Sequence, residues 1–164
     1  MDNSSIEDTL EQVLEEFRSG IENPEEGLDV DEPSLLQLRK ACRLLEAAHL
    51  LQRQDGYYTV IIEASFAAIE RTIQYYLLDN SYIHEDEFVD HTKVYEMGET
   101  AGLYRNEFKD KLIHLWKNNR SRTYYREGIG TRSRAQLMLQ LASEIHGHIL
   151  QLSGEKHECV CQTR

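Results

Sequence analysis

Arg120, Arg122, Tyr124, Tyr125 and Arg126 fall within the run WKNNRSRTYYR, and their types are those that hold anions. A guanidinium fork meets two phosphate oxygens at once, while tyrosine rings stack on bases or hydrogen-bond through their hydroxyls. At i, i+2 and i+6 the three arginines are spread over two consecutive helical turns. Residues 105–134 carry nine Lys/Arg against three Asp/Glu, a local balance of +6. The expected guest is RNA or a nucleotide, bound with a steep dependence on salt. Two blander readings compete: cations placed favourably at a helix C-terminus, or arginines paired with acids of the same chain.

Other residues with chemical potential are scattered. His114 lies six residues before Arg120 and is the one nearby imidazole that could act as a general base. His84 and His91 flank the acidic stretch HEDEFVDH, which reads first as the solvated, capped start of a helix carrying both histidines on one face. Glu63 and Glu70 are expected to be half-buried and to pair with Arg120 or Arg122. His146 and His148 fall on different faces of the last helix and suggest nothing specific. In the tail, His157, Cys159 and Cys161 stand close together, but a tetrahedral zinc or copper site needs a fourth ligand. The tail is therefore expected to carry incidental thiols, and neither a metal nor a cofactor is expected. The sequence has no glycine-rich phosphate loop, zinc-protease pattern or nucleophile elbow.

The charge is unevenly spread. Residues 1–33 hold twelve acids and one base, Arg18, so the whole formal charge of −11 belongs to them. That segment could fold back and mask the basic stretch, or pack its apolar stripe on the rest of the chain. No apolar run is long enough to span a membrane. The acidic start MDNSSIEDTLEQ does not read as a signal peptide, and three cysteines read as reduced thiols in a cytoplasm.

Positioning these residues falls to helices. The only prolines are Pro24 and Pro33, and β-branched residues cluster only at Val60-Ile61-Ile62, inside a helical period. The spacing predicts helices over about 5–19, 33–53, 57–78, 85–101, 104–125 and 133–152. The first opens on a Ser4/Glu7 capping box and carries the stripe Ile6, Leu10, Val13, Leu14 and Phe17. The second turns Leu35, Leu38, Cys42, Leu45 and His49 inward. Asp55-Gly56 is a tight turn into the third and most apolar helix. Ser133 with Gln136 opens the sixth, whose inner face is Ala135, Leu139, Ala142, Ile145 and Ile149. Short turns between long helices imply an all-α, antiparallel up-down bundle of four to five core helices with an extra N-terminal amphipathic helix. Residues 1–33 form the acidic helix and linker, 34–153 the bundle, and 154–164 a flexible tail.

From about Leu35 to Leu150 the chain resembles the HEPN family, the higher-eukaryote and prokaryote nucleotide-binding helical bundles. The likeness rests on LRKACRLLEAAHLLQRQDGYYTVIIEASFAAIERTIQYYLL, EDEFVDHTKVYEMGETAGL and LIHLWKNNRSRTYYREGIGTRSRAQLMLQLASEIHGHIL. Ribonuclease-type members place a histidine after an Arg-polar pair. Here Arg120 and Ser121 match the pair, and Tyr125 stands where the histidine belongs. A tyrosine with a pKa near 10 is a poor general base at neutral pH. The resemblance thus implies a nucleotide/RNA-binding or partner-binding subunit, bound through Arg120, Arg122, Tyr124, Tyr125 and Arg126. It also implies a minimal nucleotidyltransferase partner and a homodimer. The alternative is a metal-independent, toxin-type endoribonuclease, with Arg120 steadying phosphorane charge and His114 as base.

Overall fold

With no proline after Pro33 and apolar residues recurring at helical spacing, the chain folds as helices. The computed structural model describes residues 4–21, 23–87, 89–120, 129–154 and 159–161, without the side chains of Ser4 and Arg120. Among the described residues there is no strand, and six helices follow in order: α1 (Ser4–Arg18), α2 (Pro33–Gln54), α3 (Tyr58–Asp79), α4 (His91–Thr100), α5 (Asn106–Arg120) and α6 (Arg132–Ser153). Among the described residues, no helix is long and apolar enough to cross a membrane.

Helix α3 is the axis of the bundle. Ile61, Ile62, Phe66, Ile69, Ile73, Tyr75 and Leu77 are all buried, because α2, α4 and α6 pack around it. Such all-round burial requires its polar residues to find partners internally. Thr72 donates its hydroxyl proton to the Ala68 carbonyl at 2.8 Å, and Ser65 does the same to Ile61 at 2.7 Å. Asp55 and Gly56 both adopt positive φ, +59° and +94°, and reverse the chain between α2 and α3. The two helices then lie antiparallel along their length and build the main hairpin. Helix α6 closes the other side of α3 with Ala135, Leu139, Ala142, Ile145 and Ile149 all buried, the face expected from its spacing.

Several boundaries move. Helix α4 begins at His91, not near His84, because the Asp90 carboxylate accepts from the Lys93 N–H at 2.8 Å and caps it there. His84 and Glu87 belong to a preceding turn closed by Glu87 N–H donating to the His84 carbonyl. Helix α6 is opened by Thr131, whose hydroxyl oxygen accepts from the Arg134 N–H, and not by Ser133. His49, expected inward, is exposed. Helix α5 rests mainly on α4, where His91 stacks on Trp116 with centroids 5.4 Å apart and Tyr104 meets Phe108.

Gly130 brings the start of α6 against the first turn of α3, its N–H donating to the Thr59 hydroxyl at 3.2 Å. A Cβ there would stand 2.6 Å from the Thr59 nitrogen and 2.8 Å from the Tyr58 carbonyl carbon. Both atoms are helical backbone and cannot swing aside. Gly130→Ala is expected to destabilise the fold by about 1–3 kcal/mol, read from the midpoint of urea unfolding.

Candidate metal centre

The middle of α2 turns Cys42 inward, one heptad after Leu35 and three residues before Leu45. The buried face of α6 includes His146, between Ile145 and the half-buried Gly147. After Ser153 and Gly154, the short stretch Cys159–Cys161 returns to the bundle and buries Cys159 at 2% exposure. These three pieces meet. The sulfurs of Cys42, Cys159 and Cys161 and one ring nitrogen of His146 all lie within 4.8 Å of one another.

The separations can be tested against a metal polyhedron. Zinc–sulfur bonds of about 2.3 Å and zinc–nitrogen bonds of about 2.05 Å make tetrahedral edges of about 3.8 Å (S–S) and about 3.6 Å (S–N). Cys42 Sγ lies 3.6 Å from Cys159 Sγ and 3.8 Å from His146 Nε2. His146 Nε2 is 3.3 Å from both Cys159 Sγ and Cys161 Sγ. Four edges therefore agree with a zinc tetrahedron to within about 0.3 Å. Cys159 and Cys161 Sγ, at 2.8 Å, would have to open by about 1 Å. None of the three cysteines is in a disulfide.

The hydrogen-bond inventory around His146 separates a ligand from a thiol merely filling space. Nδ1 lies 3.0 Å from Thr72 Oγ1. That hydroxyl has already given its only proton to the Ala68 carbonyl, so it accepts, and Nδ1 must be the protonated nitrogen. Nε2 then presents a bare lone pair to the three sulfurs. This is the tautomer a metal requires, fixed by a partner outside the ligand set, the usual arrangement for ligating histidines.

Electrostatics point the same way. Without an ion, the Cys161 thiol is pushed well above its ordinary value by hydrogen bonds with Cys159 and Cys42, then by burial and by the charge of its neighbours. A divalent cation would reverse this, leaving three thiolates, a neutral imidazole and a net charge of −1. Glu46, His49 and Arg53 line the cavity of about 470 Å³ that also borders Cys161 and His146. Thr72→Val keeps the shape but removes the acceptor for Nδ1–H. It is expected to weaken zinc binding about 10–100-fold by chelator competition while helix content stays constant.

Of the residues singled out in the sequence, Cys159 and Cys161 enter this cluster, whereas His114, Glu70 and His148 do not belong to it. His114 lies on the exposed side of α5, where its Nε2 accepts from the Asn118 side-chain amide at 2.6 Å. Arg120 ends that helix, and its side chain together with Arg122, Tyr124, Tyr125, Arg126 and His157 lies outside the described residues. Glu70 sits buried on α3 with His91 Nδ1 at 2.6 Å and accepts from the Tyr95 hydroxyl at 3.2 Å, while the expected pairing of Glu63 or Glu70 with Arg120 or Arg122 lies outside the described residues. His148 is exposed, on the far side of α6 from His146. Sequence reasoning missed Cys42 and His146 as ligands because 104 positions separate them. The available signal was a cysteine and a histidine both on core-facing helical positions, in a chain whose remaining cysteines form a C-x-C.

No curated protein and no solved structure matches this chain. A family model does match, over residues 1–161, and it is not a HEPN model. The HEPN resemblance is thereby overturned, and the nucleotidyltransferase partner and signature roles it implied lose their basis. Short helical motifs of alanine-rich and amphipathic character recur wherever helices pack closely, which is how the likeness arose. The chain belongs to the family described as a domain of unknown function (DUF8154).

Proposed function

We propose that this protein is a zinc-binding helical bundle, with one ion held by Cys42, His146, Cys159 and Cys161. The observation that carries the reading is the convergence of four donor atoms within 4.8 Å, with His146 locked in the ligating tautomer by Thr72. A mostly sulfur, tetrahedral set suits zinc, which has no geometric demand of its own. Four protein ligands leave no coordination position open for substrate, so the role is structural. The ion ties residues 159–161 to α2 and α6, closing a loop of more than a hundred residues through Cys42. A compartment that keeps thiols reduced, as the cytoplasm does, suits such a centre.

The test is metal content. Protein purified without chelator and with reductant should carry one zinc per chain by plasma mass spectrometry. Preparations that stay metal-free after incubation with equimolar zinc would remove the reading.

A second reading concerns residues 105–134, whose balance of +6 favours attachment of an anionic partner. It is independent of the metal.

A further inference from the structure

Helix α1 leaves its apolar stripe open to water. Ile6 is 71% and Phe17 87% exposed, and Leu10, Val13, Leu14 and Ile21 are exposed with them. The five on the helix, Ile6 to Phe17, share one face and form a patch that a chain seldom leaves without a partner. Glu7 and Glu11 border that face on one side and Glu16 on the other, and the helix carries five acids against the single base Arg18.

A surface of opposite character lies between α5, α3 and α6. It is a groove of about 570 Å³ with Ile62, Leu115, Leu137, Met138 and Leu141 as its floor and Asn118, Asn119 and Arg134 at its rim. Leu137 is 64% exposed within it. Arg134 is the one charged residue among those lining it. An acidic helix with an apolar stripe matches a groove whose lining is mostly apolar and whose one charged residue is a cation.

We infer that α1 of one chain docks in the α5/α3/α6 groove of a second copy. Three physical points select this occupant. Pairing α1 with another α1 would set five acids against five, across helices of only about two heptads, too short for a stable coiled coil. RNA would satisfy the charge but leave five apolar side chains facing phosphate and sugar. Docking in the chain's own groove is opposed by the tether. Glu25 is ion-paired to Arg43 at 3.1 Å and the Gly27 carbonyl accepts from Arg39 at 3.4 Å, which fixes the linker on α2. From Arg18 to that anchor the chain reaches at most about 25 Å. Helix α2 packs on α3 and α6 but contributes no residue to the groove, which α5 lines with those two helices instead, so the anchor does not border it. Reciprocal exchange of α1 between two copies engages both grooves and closes the assembly as a dimer.

The experiment uses the full-length protein loaded with zinc. Sedimentation equilibrium over 1–100 µM (roughly the range for interfaces of modest size) should show a dimer. Leu10→Glu and Leu137→Glu alter exposed positions that the fold does not need, and each should weaken dimerisation at least about tenfold. A photoreactive side chain at position 137 should crosslink to α1 between heavy- and light-isotope chains in a mixture. A monomer throughout the range, a dimer indifferent to both variants, or crosslinks only within one isotope label would overturn the inference. So would single-stranded RNA bound at the groove in a Leu137→Glu-sensitive way with α1 left free. Each readout holds whether or not the metal proposal stands, since chelated protein can be run in parallel.

Discussion

Replacing Cys42 by serine is expected to abolish stoichiometric zinc binding and to lower the melting temperature by about 8–16 °C in zinc-containing buffer. The size follows from linkage. An ion at a thousandfold over its dissociation constant stabilises the folded state by about 4 kcal/mol, and for a chain of this length each kcal/mol moves the midpoint by about 2–4 °C. Serine is nearly the shape of cysteine but a far weaker zinc ligand, so the substitution removes the bond while sparing the packing. The decisive control is the same pair of proteins in chelator. There the difference should shrink to about 1 kcal/mol, the scale of one altered buried polar contact. A loss equal with and without zinc would mean that Cys42 serves only as a small core residue.

Stability should also respond to pH with opposite sign in the two metal states. In the metal-free protein the Cys161 thiol is held above its ordinary 9.0 by hydrogen bonds with Cys159 and Cys42 and by burial. The folded state then retains a proton that the unfolded chain gives up, so the contribution is complete below pH 9.0 and is lost as pH rises beyond it. With zinc the ligands must be thiolates, and protons compete with the ion. Apparent zinc affinity should therefore fall as pH is lowered, by up to about tenfold per pH unit for each thiol that must ionise. Thermal melts from pH 5 to 10, with and without chelator, should show the zinc-loaded protein gaining stability from acid to neutral. The metal-free protein should be flat there and decline at the alkaline end. Parallel curves would show that the thiols do not bind the ion.

The sequence was most legible where local rules dominate. The presence and order of six helices, the Asp55-Gly56 reversal and the inner face of α6 follow from spacing and turn chemistry. Where a cap decided the matter, spacing alone misled: Asp90 starts α4 a turn and a half later than the acidic stretch suggests. The candidate metal centre was hidden for a different reason. Each ligand looks ordinary in its own window, Cys42 as a small inward residue, His146 as one histidine of a pair, and Cys159 and Cys161 as tail thiols. Only the packing of α2 against α3 and α6 brings the first two together, and only the return of the chain after Gly154 adds the last two. The basic run drew attention because charge is visible without a fold. A ligand set spread over 120 residues is not.

Cobalt substitution tests the central claim most directly, because cobalt reports both the number of thiolates and the geometry. Titrating the reduced, metal-free protein with cobalt should produce intense thiolate-to-metal charge transfer and the visible bands of a tetrahedral site, saturating at one equivalent. Zinc should bleach the colour, and Cys42→Ser should weaken the charge-transfer band. A weak octahedral spectrum, or one that never saturates, would contradict a centre built from Cys42, His146, Cys159 and Cys161.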